Sequence, residues 1–566
     1  MCGIAGIIGE KFSEYKLDKM LLSQKHRGPD FTGKYVSKNC VLGHNRLSII
    51  DLSEKANQPF FSKDKRYTLV FNGEIYNYLE LKEALGDYVF TSNSDTEVLL
   101  AAYVTWGEAC LHKLNGMFSF AIWDSEKESL FAARDRFGVK PFYYHQDEKT
   151  FYFSSEIKAL HNAGISKMPS EKIWAGYFAY GSYGMPQETF WETILQLPGG
   201  HFLNYKNGVL SIEKWYYFEK EVLKYQKDES FEKVKQTYKK ILKDSIKLRF
   251  RADVQVGFNI SGGLDSSTLL AFVNQMEGKE NIKAYTFFTD DDRYDELPWV
   301  KEMIALTKNP LTEVLLRPDT SFNEKTNYIS VIQDEPFGGV PTIAYSQIFK
   351  QARKDNVLVL LDGQGMDEQW AGYDYYTKQR DETIQGVNKT PFRPNVLAQN
   401  FLGLADKPTY PKPFNDRVLD LQYRDLFYTK IPRALRFNDR VSMAYSTELR
   451  EPFLDYRLVE YAFAQPLEYK ISKGVQKFLL RELVSEYLSD TISYAPKRPL
   501  QTPQREWLGE DLKEFVANHL QQLKDSEYSK WFNFTALEKE WELYIEGNND
   551  ASFHIWQWVN LSLLIE

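Results

Sequence analysis

The sequence is poor in cysteine: Cys2, Cys40 and Cys110 are the three in 566 residues. That excludes a disulfide framework and makes a reducing compartment, the cytoplasm, the expected home. No apolar run approaches ~18 residues, so a membrane-spanning helix is not expected. The start of the chain also lacks a basic stretch leading into an apolar one, so neither is a signal peptide. Basic residues form no clustered stripe, and the formal net charge is −8. A nucleic-acid surface is therefore not expected, and small molecules are the natural partners. Hydrophobic residues at 43% and charged residues at 26% leave no segment that reads as disordered.

What is present is enough chain for several cores, roughly three or four units or two large ones. The first half alternates short aromatic and β-branched runs with turn residues. Tyr67 to Phe71, Ser119 to Asp124, Leu130 to Asp135 and Phe151 to Ser155 read as strands, and Thr96 to Trp106 keeps a helical spacing. This half is predicted to be an α+β layered domain. A polar, lysine-rich stretch (211–230) reads as a linker between residues 1–210 and 231–566. The second half opens with an amphipathic helix whose face carries Phe231, Val234, Tyr238, Ile241, Leu242 and Leu248. Strands at Val254 to Ile260, Ile282 to Thr289 and Val357 to Leu361 then alternate with helices, predicting an α/β domain with a mostly parallel sheet.

Two stretches carry chemistry. Ser261-Gly262-Gly263-Leu264-Asp265-Ser266-Ser267 sits between a strand and a helix start. Its glycines admit close backbone approach, and the helix N-terminus offers unpaired N–H groups to phosphate. The turn is neither a Walker A loop nor a Gly-x-Gly-x-x-Gly turn, and it holds an aspartate where a lysine would be expected. A carboxylate beside a polyphosphate calls for a bridging cation, so Asp265 points to Mg²⁺. Asp362-Gly363-Gln364-Gly365-Met366-Asp367-Glu368 follows another predicted strand and brings Asp367 to the same edge. Taken alone, the first turn also fits a tight Gly-Gly turn capped by Ser266.

At the other end, loss of Met1 would leave Cys2 with a free α-amine. A thiol near pKa ~8.5 gains a base in an amine near ~7.7–8.0, which a lysine near ~10.4 would not provide. Asn72 and Gly73 are candidate oxyanion donors. Arg46 and Asp95 supply the two charges that an α-amino acid needs for its carboxylate and ammonium. Each also has a purely structural reading: a small strand residue, a turn, a surface ion pair, a helix cap.

Cys2-Gly3-Ile4, Arg27-Gly28-Pro29-Asp30, His44 to Asp51, Phe71 to Asn77, Ser94 to Glu97 and Arg134 to Gly138 resemble the class II glutamine amidotransferases. With Asp439 to Met443, Glu451 to Asp455 and Lys477 to Arg481, the chain is similar nearly end to end to the glutamine-hydrolysing asparagine synthetases. The resemblance implies an αββα sandwich of the N-terminal-nucleophile type followed by an ATP-pyrophosphatase domain. It implies Cys2, Asn72, Gly73 and Lys477 as catalytic residues, and Arg46, Ile50, Asn72, Gly73, Glu74 and Asp95 as the glutamine site. For ATP it implies Ile260, Ser261, Gly262, Gly263, Asp265, Ser266, Ser267, Thr289, Gly363 and Gln364, with Asp265 and Asp367 holding Mg²⁺. The reaction implied is carboxylate activation as an acyl-adenylate, then amidation by glutamine-derived ammonia, aspartate becoming asparagine; a homodimer is compatible with it.

The chain departs from the family in two places. Many members carry Ser-Gly-Glu-Gly where this one has Asp362-Gly363-Gln364-Gly365, and Ala344 replaces an arginine suited to an amino-acid carboxylate. Some relatives amidate uronic acids of surface polysaccharides, which keeps a second acceptor class open. An inactive regulatory homologue is the third reading, and the presence of Cys2, Asp265, Asp367 and Lys477 argues against it.

Overall fold

The structure, a computed structural model, describes residues 2–276, 281–378, 390–496 and 502–565. The first half is built from β1 (Gly3–Gly9), β2 (Phe31–Val36), β3 (Cys40–Arg46), β4 (Phe60–Phe61), β5 (Tyr67–Ile75), β6 (Gly116–Asp124), β7 (Ser129–Arg134), β8 (Tyr143–Gln146), β9 (Thr150–Ser154), β10 (Leu195–Gln196), β11 (His201–Lys206) and β12 (Val209–Lys214). They form two six-stranded antiparallel sheets, in the orders β10-β8-β9-β1-β3-β2 and β12-β11-β7-β6-β5-β4. Alternation along β1 explains the layering. Ile4 and Ile8 point into the space between the sheets with Leu42, Val70, Ala121 and Phe153. Ala5 and Ile7 point the other way, onto Leu17, Met20, Leu21 and Leu160 of the covering helices. Helices over the second sheet, including Asp95–Trp106, complete an αββα sandwich.

The stretch read as a linker is more ordered than its composition suggests. β12 pairs along its whole length with β11, and the Phe218–Leu223 helix follows, with Trp215, Tyr216, Phe218 and Val222 buried. The charged residues of this stretch are the solvated faces of an edge strand and a short helix, which composition cannot tell from a tether.

The second half carries β13 (Val256–Asn259), β14 (Ala284–Phe288), β15 (Leu311–Leu315), β16 (Val359–Leu361) and β17 (Glu448–Arg450). All five pair in parallel, in the order β15-β14-β13-β16-β17. The chain runs outward from β13 to β15 on one side and from β16 to β17 on the other. The order therefore reverses between β13 and β16, and the crevice at their C-terminal ends is where such sheets bind ligands. The amphipathic helix is Phe231–Arg249 and buries Val234, Tyr238, Leu242 and Leu248. The two halves share cores: Trp174, Tyr177 and Phe178 of the Glu171–Tyr180 helix pack with Phe337, Phe349, Trp531 and Trp556. Among the described residues no helix is long and apolar enough to cross a membrane.

Candidate active sites

The first site lies where β1 begins. The Cys2 backbone N–H donates to Asn72 Oδ1 at 3.0 Å, tying β1 of one sheet to β5 of the other. Asn72 Nδ2 lies 3.5 Å from Ser155 Oγ, which accepts the Ile4 N–H at 3.0 Å. The Cys2 thiol is buried, 4.0 Å from the Leu47 carbonyl oxygen, and burial pushes its pKa up. A thiol in this setting needs a base at hand to become a nucleophile. Met1, whose removal the N-terminal reading requires, lies outside the described residues.

Cys2, Arg46, Ile50, Gly73, Glu74 and Asp95 line one pocket with about 340 Å³ of empty space. These are the residues assigned to glutamine except Asn72, which stands behind Cys2. The Arg46 guanidinium donates to Ser53 O and Asn57 Oδ1, both at 2.8 Å, and to Asp51 O. Carbonyls hold it in place, and among the described residues it makes no salt bridge, so its charge is available to a carboxylate ligand. On the opposite sign, Asp95 opens its helix and accepts the Ile75 N–H at 2.9 Å. Burial lifts Asp95 to about 6. Burial and the neighbouring Asp95 push Glu74 well above the carboxylate range, against the pull of Arg450.

The second site sits in the β13/β16 crevice. The helix after the Ser261–Ser267 turn starts at Leu264, within the turn itself, with Gly263 rather than Ser266 as N-cap. Ser266 Oγ instead closes the turn, accepting the Ser261 N–H at 3.2 Å. Gly262 has φ of 69°, and a Cβ there would lie 2.9 Å from Trp299 Cβ; both the conformation and the space require glycine. Gly363 abuts the turn so closely that a Cβ would lie 3.3 Å from the Ser266 nitrogen. Among the described residues, Ser267 Oγ and Thr289 Oγ1 are buried without hydrogen-bond partners, as groups that receive a polar ligand would be.

Lys477 joins the two acidic stretches. Its Nζ lies 2.6 and 2.7 Å from the Asp265 carboxylate oxygens and 2.6 Å from Asp367 Oδ1. The two aspartates converge at one crevice, and the cation between them in this structure is the Lys477 ammonium, not the Mg²⁺ assigned to them from the sequence. Burial opposes its charge, but Asp265 and Asp367 prevail and its pKa stands above the ordinary lysine value. Lys477 caps the Phe478–Val484 helix in a left-handed conformation, φ 55°, a strained state of the kind retained at functional sites. A Cβ on Gly372 would lie 2.0 Å from Asp367 Oδ1 and 2.3 Å from Lys477 Cε, so glycine there makes the ion pair sterically feasible. Asp362 accepts from Tyr345 Oη at 2.8 Å, and Tyr345 Oη accepts from Asn259 Nδ2 at 2.7 Å. A carboxylate missing at Gln364 is therefore present at the strand end two residues earlier. Ala344, in the Val340–Lys354 helix, is fully buried in the core.

Three residues without an assigned role stand out. Arg27 is fully buried and donates to Cys2 O (3.0 Å), Glu156 Oε1 (2.9 Å) and both oxygens of Asp439 (2.9 and 3.1 Å), linking the nucleophile to the second domain. Ser155 sits behind Asn72. Arg450 reaches across to Glu74. Arg27 belongs to a recognisable motif, but Asp439, which takes two of its hydrogen bonds, is 412 residues away. The alternating charges of Glu448-Leu449-Arg450 within so short a strand were the available hint for the last.

A Cys-bearing amidotransferase pocket on an N-terminal-nucleophile sandwich, joined to a parallel-sheet crevice with a phosphate-type turn, defines a glutamine-dependent amidotransferase. A glutamine amidotransferase domain model matches residues 1–217 and an asparagine synthase model matches residues 237–566, and the chain belongs to the asparagine synthase family. It is 30% identical to asparagine synthetase [glutamine-hydrolyzing] 3 of Bacillus subtilis, over 88% of this chain and 86% of that protein. It is 28% identical to asparagine synthetase [glutamine-hydrolyzing] 1 of the same organism, over 93% of this chain and 91% of that protein. A solved glutamine PRPP amidotransferase from B. subtilis aligns at 14% identity and a TM-score of 0.31, covering 64% of this chain and 81% of that one, a likeness too slight to bear on function.

Proposed function

We propose that the protein hydrolyses glutamine at Cys2 and uses the ammonia to amidate a carboxylate that ATP has activated as an acyl-adenylate, with aspartate as acceptor and asparagine as product. The observation that carries this reading is the convergence of Asp265, Asp367 and Lys477 at the β13/β16 crevice. In the glutaminase half, Cys2 Sγ attacks the side-chain amide, Asn72 and Gly73 stabilise the oxyanion, ammonia leaves carrying the thiol's proton, and water then hydrolyses the thioester to glutamate and frees Cys2. Arg46 takes the glutamine carboxylate, and Glu74 with Asp95 its ammonium.

In the synthetase half, the turn from Ser261 to Ser267 receives the phosphates, with Ile260, Thr289, Gly363 and Gln364 around the nucleotide. The acceptor carboxylate attacks the α-phosphate, and pyrophosphate leaves with Lys477 compensating the developing charge. Both carboxylates already reach a single cation in this structure, so Asp265 and Asp367 fit Mg²⁺ as ligands; the ion supplies charge neutralisation of the polyphosphate. Ammonia then displaces AMP. Ammonia is a nucleophile only when neutral, so a route between the halves shielded from water is required; a small pocket where the halves meet, lined by Tyr76, Met117, Arg136, Val139, Arg249 and Glu451, is a candidate part of it.

One observation favours a second acceptor class. The position that carries an arginine in some relatives is Ala344, buried in the core, so no cation reaches an amino-acid carboxylate from there. A sugar uronate needs none. Pyrophosphate release with ATP, Mg²⁺ and ammonia, compared between aspartate and nucleotide-linked uronic acids, decides between them. Release with aspartate alone is expected; release with a uronate alone overturns the choice of aspartate.

A further inference from the structure

Among the described residues, the amidotransferase pocket is lined from residues 2–96, and a side chain of the second domain stands behind its Glu74. β17 belongs to the parallel sheet of the second domain, yet Arg450 at its end is fully buried with Nη2 3.4 Å from Glu74 Oε2. The rest of its guanidinium is fixed from the second domain's side. Nε donates to Glu448 Oε1 at 2.6 Å, and Nη1 donates to the carbonyl oxygens of Arg249 and Arg251, both at 2.8 Å. The remaining nitrogen, Nη2, makes no hydrogen bond among the described residues and faces Glu74 Oε2, which also makes none, so the two meet as charges and not as a hydrogen-bonded pair. Two further contacts close the same rim: the Asp253 N–H donates to Ile49 O at 2.9 Å, and the Asp51 N–H donates to Asp253 Oδ2 at 2.8 Å.

We propose that Arg450 is a positioning residue of the glutamine site, setting the Glu74 carboxylate toward the ammonium group of bound glutamine. Glu74 lies in a pocket wall that also holds Asp95, and two buried carboxylates side by side disfavour each other's charge unless cations face them. Among the described residues, Arg450 is the cation within ion-pair distance of Glu74. Glutamine brings a second positive charge, and the pair Glu74 and Asp95 then faces one fixed cation behind and one ligand cation in front. The glutaminase domain supplies the nucleophile while the synthetase domain supplies the support of its substrate-binding acid.

The inference rests on the reading of Cys2 as nucleophile and of its pocket as the glutamine site. The test uses the full chain and two assays on each variant: glutamate formation from glutamine, and pyrophosphate release with ammonia in place of glutamine. R450M is expected to raise the glutamine KM about 10-fold or more, with kcat for glutamate formation within about 3-fold and ammonia-dependent release within about 2-fold of wild type, the pattern of lost ligand binding. In an E74Q background the same substitution should add no further rise in KM. Losses of similar size in both assays, or an unchanged KM, would overturn the proposal, because a residue that merely braces β17 disturbs the synthetase sheet first. If R450M yields no folded protein, R450K decides. Its shorter, non-forked side chain cannot hold both carbonyls and reach Glu74, so the KM should rise about 3-fold; an unchanged KM overturns the assignment. C2A is run alongside, and glutamate formation that persists in C2A refutes the pocket reading itself and the proposal with it, separately from any result on Arg450.

Discussion

Substituting Arg27 by methionine should loosen the joint between the nucleophile and the second domain while leaving each sheet intact. Arg27 makes four charge-assisted or carbonyl hydrogen bonds, to Cys2 O, Glu156 Oε1 and the two oxygens of Asp439. Methionine fills most of the volume and removes all four. Stripping one partner from a buried ion pair costs about 3–5 kcal/mol. Here the carboxylates are not left alone: Arg440 Nη1 stays 3.2 Å from Glu156, Lys158 Nζ 2.6 Å from Glu156, and Lys140 Nζ 4.0 Å from Asp439. The lower end, about 3 kcal/mol, is therefore expected, which at about 1.4 kcal/mol per decade is roughly a 100-fold larger population of locally opened molecules. Hydrogen exchange followed by mass spectrometry reads that population directly in peptides covering residues 24–30 and 436–443. Exchange there should accelerate by about two decades, while peptides from β13 and β16 keep their wild-type rates. An acceleration below about 5-fold would show that the retained cations carry the joint, and the assigned role of Arg27 would fall.

Other consequences can be read with simpler assays. C2A should lower glutamine-dependent product formation ~10³-fold or more while ammonia-dependent formation stays within about 2-fold; parallel loss of both would contradict separable sites. D265N removes one of the two carboxylates that meet at Lys477 and should slow pyrophosphate release by ~10²-fold or more, and a wild-type rate would take Asp265 out of the site. Glu368 is buried, and burial with its neighbour Asp367 raises it to about 7. The native state therefore holds this proton where the unfolded chain, near ~4.3, has released it. Its stability contribution is complete below that lower value and is lost as pH rises through about 7. The wild-type thermal midpoint should thus fall between pH 5 and 7 more steeply than that of E368Q; equal slopes would show that Glu368 does not titrate in that window.

Local features were legible before the structure. The glycine turn before a helix and the Asp-Gly-Gln-Gly turn declared themselves because short-range constraints, a left-handed φ at Gly262 and a strand end before each turn, write themselves into neighbouring residues. That both turns meet at one crevice followed from strands β13 and β16 being parallel neighbours. Lys477 was assigned by resemblance alone: its contact with Asp367 needs the space that Gly372 leaves, more than a hundred residues earlier in the chain. Arg27 and Arg450 act across the joint between the halves, where no periodicity or spacing reports the partner. The order within the stretch read as a linker was not legible for a different reason: β12 is an edge strand, and its exposed charges look like those of an untethered segment.

The central claim is that an acyl-adenylate forms in the β13/β16 crevice and is opened by ammonia. Running the reaction with an acceptor whose carboxylate carries ¹⁸O, with ATP, Mg²⁺ and glutamine, and weighing the AMP tests it directly. One labelled oxygen transferred to AMP for each amide formed is the predicted result, since the bond that breaks when ammonia attacks lies between the acyl carbon and that oxygen. Unlabelled AMP, or label appearing in inorganic phosphate alongside ADP, would contradict the account.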